Sequence, residues 1–265
     1  MVKLDQIVGG LVYKSPIVVS SSPLTDNVDF IKQAEENGAG AVSTKLTLLY
    51  QPVKGIRQMY GKRGMFVFNP SDKRNDLEDG LRLVRRAKEE TDLVIWSNIA
   101  GPGDDFDGWI KIARAFEQAG ADALELNFIC PNISLGADNL GQKVESSQKV
   151  GAVIGKDPFM VRQIVTRVKE NVKIPVWVKP TTEAPDFTAI AKAIKDGGGD
   201  GITINAAPLV APPIDIYRGG KPAMATLKNC SFGGSGGPHM LRLSLRYVGA
   251  VAKAVDIPIA GGGIR

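Results

Sequence analysis

The sequence predicts an α/β fold of the (β/α)8 barrel type lacking its eighth strand–helix unit, and three observations lead there. Short β-branched runs alternate with amphipathic stretches along the whole chain, the pattern of βα units on a parallel sheet. Strand starts at Ile17, Leu93, Val176 and Ile257 recur about every 80 residues, a period that marks tandem modules. Within each period a second strand starts at Ala41, Ala123 or Gly201, entered through Asn37-Gly38-Ala39-Gly40, Ala119-Gly120-Ala121-Asp122 or Gly198-Gly199-Asp200.

Taken in order, the expected strands are Ile17 to Ser20, Ala41 to Lys45, Leu93 to Asn98, Ala123 to Ile129, Val176 to Lys179, Gly201 to Asn205 and Ile257 to Ala260. Between them, Asp26 to Asn37 reads as a helix capped by Thr25 or Asp26 and closed by Gly38. Asp107 to Ala119 sets Trp109, Ile112, Ala113 and Phe116 on one face and stops at Gly120. Asp157-Pro158 opens a third helix with Met160, Val161, Ile164, Val165 and Val168 inward, and Pro238 to Ala254 aligns Leu241, Leu245, Val248 and Ala252. A doubly wound open sheet would want phosphate-binding glycines after the first strand, where this chain has Ser20-Ser21-Ser22-Pro23. Two long segments, Pro131 to Lys156 and Ala206 to Ser235, interrupt the rhythm on the face where barrels keep their chemistry.

Composition narrows the function. With 33 basic and 28 acidic residues the net charge is +5, mildly favourable to anions and far from a nucleic-acid binder. The densest basic cluster, Lys54, Arg57, Lys62 and Arg63 with Tyr50 and Tyr60 nearby, reads as a solvated loop, and no nucleic-acid partner is expected. No long apolar run and no signal-type leader stand in the sequence, so a cytoplasmic protein with no membrane span is expected. Two cysteines, Cys130 and Cys230, are too few for an iron–sulfur cluster, and the one histidine, His239, removes histidine-rich metal sites. No metal centre is expected, and an electron relay would have to reside on a partner.

The strand ends carry Ser20-Ser21-Ser22, Thr44-Lys45, Ser97-Asn98, Asn127, Cys130, Lys179, Asn205 and Gly261-Gly262-Gly263. Asparagines offer two donors and two acceptor lone pairs each, which suits a flat heterocycle with alternating C=O and N–H edges and suits hydrolysis poorly. On chemistry alone Cys130 is either an inert buried thiol or a proton-transfer group under a loop, and Lys179 is either a fixed cation or an amine for Schiff-base chemistry.

The runs ELNFICPN, STKLT, WVKP, ITINAAP, FGGSGGP and IPIAGGGI, in register with the strand ends from about Ser15 onward, resemble the flavin-dependent dihydroorotate and dihydropyrimidine dehydrogenases. The resemblance implies an FMN-dependent oxidoreductase acting on the CH–CH bond of a pyrimidine-type ring. It implies FMN contacts from Ser20, Ser21, Lys45, Asn98, Asn127, Lys179, Gly233, Gly234, Gly262 and Gly263. The substrate would be held by Asn69, Asn127, Asn132 and Asn205, with Cys130 as the acid–base. It also implies a homodimer and, since no G-x-G-x-x-G fingerprint follows a first strand, a separate iron–sulfur or FAD electron-transfer subunit. An aldolase-like barrel using Lys179, and a barrel subunit without turnover, are the competing classes.

The chain departs from the family pattern at Leu46 after Lys45, at Ala206 after Asn205, and at Phe68-Asn69-Pro70-Ser71-Asp72, which lacks the usual Met-Gly-Leu-type segment. Leu46 and Ala206 imply one substrate hydrogen bond fewer, and the segment at 68–72 favours an uncharged dihydropyrimidine, a different enone or a cyclic imide over a carboxylated ring. Residues 1–265 are expected to be one barrel domain, C-terminally incomplete, because four repeats of about 80 residues exceed its length. With half of the phosphate site on a missing unit, weakened FMN affinity is expected.

Overall fold

All seven expected strands form, and in the expected order. A computed structural model describes residues 4–49, 58–62, 64–69, 73–130, 150–205, 207–227 and 232–263. Asn132, Cys230, Ala206, residues 70–72 and, of the basic cluster, Lys54, Arg57 and Arg63 lie outside these. The barrel strands are β1 (Val18–Val19), β2 (Ala41–Ser43), β3 (Val94–Ala100), β4 (Ala123–Phe128), β5 (Val176–Pro180), β6 (Gly201–Ile204) and β7 (Ile259–Gly261). They pair in parallel in simple sequence order, with β1 and β7 at the two edges of the sheet, and the short strand Thr47–Leu48 also joins β3.

Parallel strands covered by helices are buried on both faces, so their sequences are apolar runs in which alternation sorts outer from inner packing. In β4 the side chains of Leu124, Leu126 and Phe128 join the core between sheet and helices, which also takes Ile112 and Phe116. Glu125 and Asn127 lie on the opposite face of the strand, and register sets Glu125 beside Asn98 and Trp177, and Asn127 beside Lys179. At the floor of the barrel Trp96 and Trp177 stack with centroids 4.5 Å apart, closed by the hairpin Gln6–Val8 and Leu11–Tyr13.

The helices are α1 (Val28–Glu36), α2 (Leu77–Glu90), α3 (Phe106–Gln118), α4 (Pro158–Lys169), α5 (Phe187–Asp196) and α6 (Met240–Ala254). Asp76, Asp105, Asp157 and Asp186 cap four of them by accepting backbone N–H groups of the first turn. The cap of α1 is Asn27, not Thr25 or Asp26. Thr25 belongs to a separate 3-10 turn, where its hydroxyl donates to the Ser22 carbonyl and accepts from the Ser22 N–H, both at 3.0 Å. The inward face of α6 also differs from expectation. Leu245 is 57% exposed and Ala252 is exposed, whereas Ser244 and Val251 are buried, because α6 docks through Tyr247, whose ring packs on Phe187 and whose hydroxyl donates to the Thr182 carbonyl.

Beside the barrel stands a four-stranded antiparallel sheet, in the order Leu209–Val210, Gly233–Gly236, Met65–Phe68, Met59–Lys62. Among the described residues no helix is long and apolar enough to cross a membrane.

Burial pushes the Tyr13 hydroxyl up to about 12, opposed by the hydrogen bond it accepts from Trp96 Nε1 at 3.2 Å. A folded-state value above the unfolded one gives stability that is whole below pH 10 and is lost as pH rises toward 12. The loss amounts to about 2 kcal/mol. Urea unfolding followed from pH 9 to 12 should show this extra alkaline slope in the native chain and lack it in Tyr13→Phe.

Candidate active site

At the carboxyl ends of the strands a cavity of about 440 Å³ opens, roofed by the antiparallel sheet. Of the residues singled out in the sequence, Ser21, Lys45, Asn69, Asn127, Cys130, Lys179, Asn205, Gly234 and Gly263 line it. Ser20 and Gly262 line a neighbouring cavity of about 780 Å³ between β1 and β7, which shares Asn205 and Gly263 with the first. Asn98 lines neither, and Gly233 is buried under Val67 and Leu227.

Asn127 organises this end of the barrel. Its Nδ2 donates to Asn98 Oδ1 at 3.0 Å, and its Oδ1 accepts the N–H groups of Ile129 at 3.2 Å and Cys130 at 2.9 Å. The chain leaving β4 is thereby folded over, with the half-buried Cys130 thiol at the cavity wall. The Cys130 carbonyl accepts from Ala152 N–H at 2.8 Å. Gly151, at φ +57°, passes so close that a Cβ there would lie 2.2 Å from that carbonyl oxygen, so only glycine fits.

Lys179 is buried, and its Nζ lies 2.9 Å from Ser20 Oγ and 3.7 Å from Glu125 Oε2. Ser43 Oγ donates to the same carboxylate oxygen at 2.5 Å, and Asn98 Nδ2 donates to it as well. A lysine engaged by a carboxylate suits a fixed ammonium better than the free amine of a Schiff-base mechanism.

Sequence reasoning missed Glu125, Arg74 and Glu183. The alternation of ALELNF could have revealed Glu125, since it shares a face with Asn127. Arg74 follows residues 70–72 and brings its Nη2 to 4.0 Å from Cys130 Sγ. Glu183 lines the cavity and accepts the Leu209 N–H at 2.9 Å, which ties the roof to the barrel. The run FGGSGGP supplies a roof strand, Gly233–Gly236, paired with Leu209–Val210 and Met65–Phe68. Its glycines are required because the rings of Phe68 and Phe66 lie across it. A Cβ on Gly234 would meet Phe68 at 2.2 Å and one on Gly236 would meet Phe66 at 2.4 Å.

Comparisons with known proteins identify the family. The family model for dihydroorotate dehydrogenase matches residues 75–265. The chain belongs to the dihydroorotate dehydrogenase family. It is accordingly a flavin-dependent oxidoreductase acting on a CH–CH bond, within pyrimidine metabolism. Among its relatives, the catalytic subunit of dihydroorotate dehydrogenase B (NAD(+)) from Alkaliphilus metalliredigens is 32% identical, over 97% of this chain and 78% of the relative. Dihydroorotate dehydrogenase A (fumarate) from Lacticaseibacillus paracasei is 29% identical, over 96% of this chain and 82% of the relative. A crystal structure of the Eimeria tenella enzyme in complex with ferulenol shares the fold, with a TM-score of 0.66 at 15% identity, over 99% of this chain and 73% of that one.

The residues present fit a flavin. Two cavities of ligand size meet at Asn205 and Gly263, with amides, hydroxyls and the cations of Lys45 and Lys179 on their walls and aromatic rings in the roof. Close backbone approach is available at Gly263, whose φ is +96° and where a Cβ would press on Leu241 at 2.9 Å.

Asn127→Ala removes one partner from three hydrogen bonds while the Asn98 amide stays buried. The unfolding free energy should drop by about 2 kcal/mol in urea titration, and no change would mean that Cys130 is held by other contacts.

Proposed function

We propose that this chain is the FMN-binding catalytic part of an enzyme that interconverts a dihydropyrimidine carboxylate of the dihydroorotate type and its ring-oxidised form. The observation that carries this reading is the placement of the Cys130 thiol in one cavity wall with Arg74, Asn127 and Lys179. Bound FMN supplies the partner for hydride exchange with one ring carbon. Cys130 Sγ handles the proton on the neighbouring carbon, taking it as the C–C double bond forms and returning it in the reverse direction.

The flavin contacts proposed are Ser20, Ser21, Lys45, Asn127, Lys179, Gly262 and Gly263, with Gly234 in the roof. Asn98 acts one step back, by orienting Asn127. Lys179 holds a positive charge where negative charge grows on the reduced cofactor. Asn69, Asn127 and Asn205 present amides to the ring edges, and Asn132 is retained from the family pattern. The roof keeps water from the reacting carbons.

Departures in residues 68–72 favoured an uncharged ring. Arg74 reverses that preference, because a guanidinium in the wall beside Cys130 offers an anion the paired contact that backbone amides offer elsewhere. The relatives' designation as catalytic subunits supports a separate iron–sulfur or FAD subunit as electron partner. Homodimerisation is carried over from the family pattern.

Anaerobic addition of dihydroorotate to the FMN-loaded protein should bleach the flavin. Cys130→Ala should still bind FMN and bleach about two orders of magnitude more slowly, and unchanged rates would remove Cys130 from the chemistry. Arg74→Gln should weaken dihydroorotate binding about tenfold or more while leaving dihydrouracil unaffected, a loss typical of a hydrogen bond to a charged group. Equal weakening of both rings, or of neither, would count against a carboxylate at Arg74.

A further inference from the structure

We propose that Glu125 is a positioning residue that sets the reduction potential of the bound flavin through Lys179; this rests on the flavin reading above. Glu125 is 1% exposed, inside the barrel, at a level where Trp177 faces it from β5 and Asn98 from β3. A carboxylate is almost never placed so deep unless it is paired. All three of its polar partners belong to the site: Lys179 on β5, Asn98 on β3, and Ser43 on β2, whose backbone leads directly into Thr44 and Lys45. Each partner comes from a different strand, and Asn98 passes the constraint on by accepting from Asn127.

The Lys179 ammonium is held from two sides. Ser20 Oγ lies at 2.9 Å and the Glu125 carboxylate at 3.7 Å, and the lysine is itself only 3% exposed. Below it, Trp177 stacks on Trp96. Glu125 stands one layer below Lys179, at the level of Trp177, so the carboxylate holds the ammonium back toward the barrel interior, and what it controls is how much of the lysine's charge reaches the cavity wall. In this low-dielectric interior a negative charge so near the lysine offsets much of the positive potential that a reduced, anionic cofactor meets. The site thus holds a cation without excessive stabilisation of the reduced form, which would slow the return of electrons to an acceptor.

The test is the oxidised–reduced equilibrium of bound FMN against a reference dye, in the wild type and in Glu125→Gln. Glutamine keeps the volume and an oxygen for Ser43 and Asn98 and removes only the charge. The equilibrium should move about tenfold toward the reduced form, about 30 mV for a two-electron couple. The shift should shrink when the same change is made in a Lys179→Met background, because the carboxylate acts through the lysine. An unchanged equilibrium in Glu125→Gln, or an equal shift in both backgrounds, overturns the inference and leaves the flavin reading intact. Failure of the wild type to bind FMN overturns both. If Glu125→Gln does not fold, Glu125→Asp, which keeps the charge and withdraws it by one methylene, carries the test with a smaller shift in the same direction.

Discussion

A strand with helices on one side and the barrel interior on the other has no solvent face, yet β4 must carry polar groups. The chain resolves this by strict alternation: Leu124, Leu126 and Phe128 go to the helical layer, Glu125 and Asn127 to the interior. Everything chemical in the molecule follows from that division. Glu125 can stay buried only because Ser43, Asn98 and Lys179 converge on it from three other strands. Asn127 can fold the chain over Cys130 only because Asn98 takes its amide. A one-residue slip of β4 would send a carboxylate and an amide into a layer of isoleucine, valine and tryptophan, which is why the register is so strongly specified.

The site is assembled across large sequence distances. Ser20 meets Lys179 across 159 residues and Ser43 meets Glu125 across 82, contacts that no local pattern encodes. The roof adds a second layer of dependence. In its Gly233–Gly236 strand the rings of Phe68 and Phe66 occupy the places that a Cβ on Gly234 and Gly236 would take, and Glu183 fastens its outer strand to the barrel. The aromatic wall of the cavity and the glycine run are therefore one device seen from two sides.

The barrel strands were legible in the sequence because most are short β-branched runs and ALELNF is an apolar alternation entered through glycine, and parallel strands buried on both faces have little freedom to read otherwise. Helices α3 and α4 were legible through apolar stripes bounded by Gly120 and by Asp157-Pro158, and α1 through its closing Gly38, although its cap proved to be Asn27. Helix α2 was not, since LEDGLRLVRRAKEE is dominated by charge and carries a glycine that packs against Thr47. Helix α5, FTAIAKAIKD, was not singled out, although Phe187, Ile190, Ala191 and Ile194 form an apolar stripe behind the Asp186 cap. The inward face of α6 was misassigned because leucine weighs more than serine in any apolar count, while docking was decided by Tyr247 and Val251. The candidate site was legible where residues sit at strand ends, as with Lys45, Asn127, Cys130, Lys179 and Asn205. It was not legible for Arg74, which no strand end predicts, nor for the roof strand Gly233–Gly236, where glycine is required by the rings of Phe66 and Phe68.

The stacked pair at the barrel floor has a consequence for how the molecule can be observed. The chain contains three tryptophans, and Trp96, Trp109 and Trp177 are all buried. Trp96 and Trp177 lie 23° from parallel, with Tyr13 edge-on to Trp96, whereas Trp109 sits in the outer layer against Phe128. Two stacked indoles couple as an exciton pair and give a far-ultraviolet ellipticity couplet that an isolated one does not. The inner pair thus acts as a built-in optical gauge of barrel order, and Trp109 as a separate gauge of the helical shell.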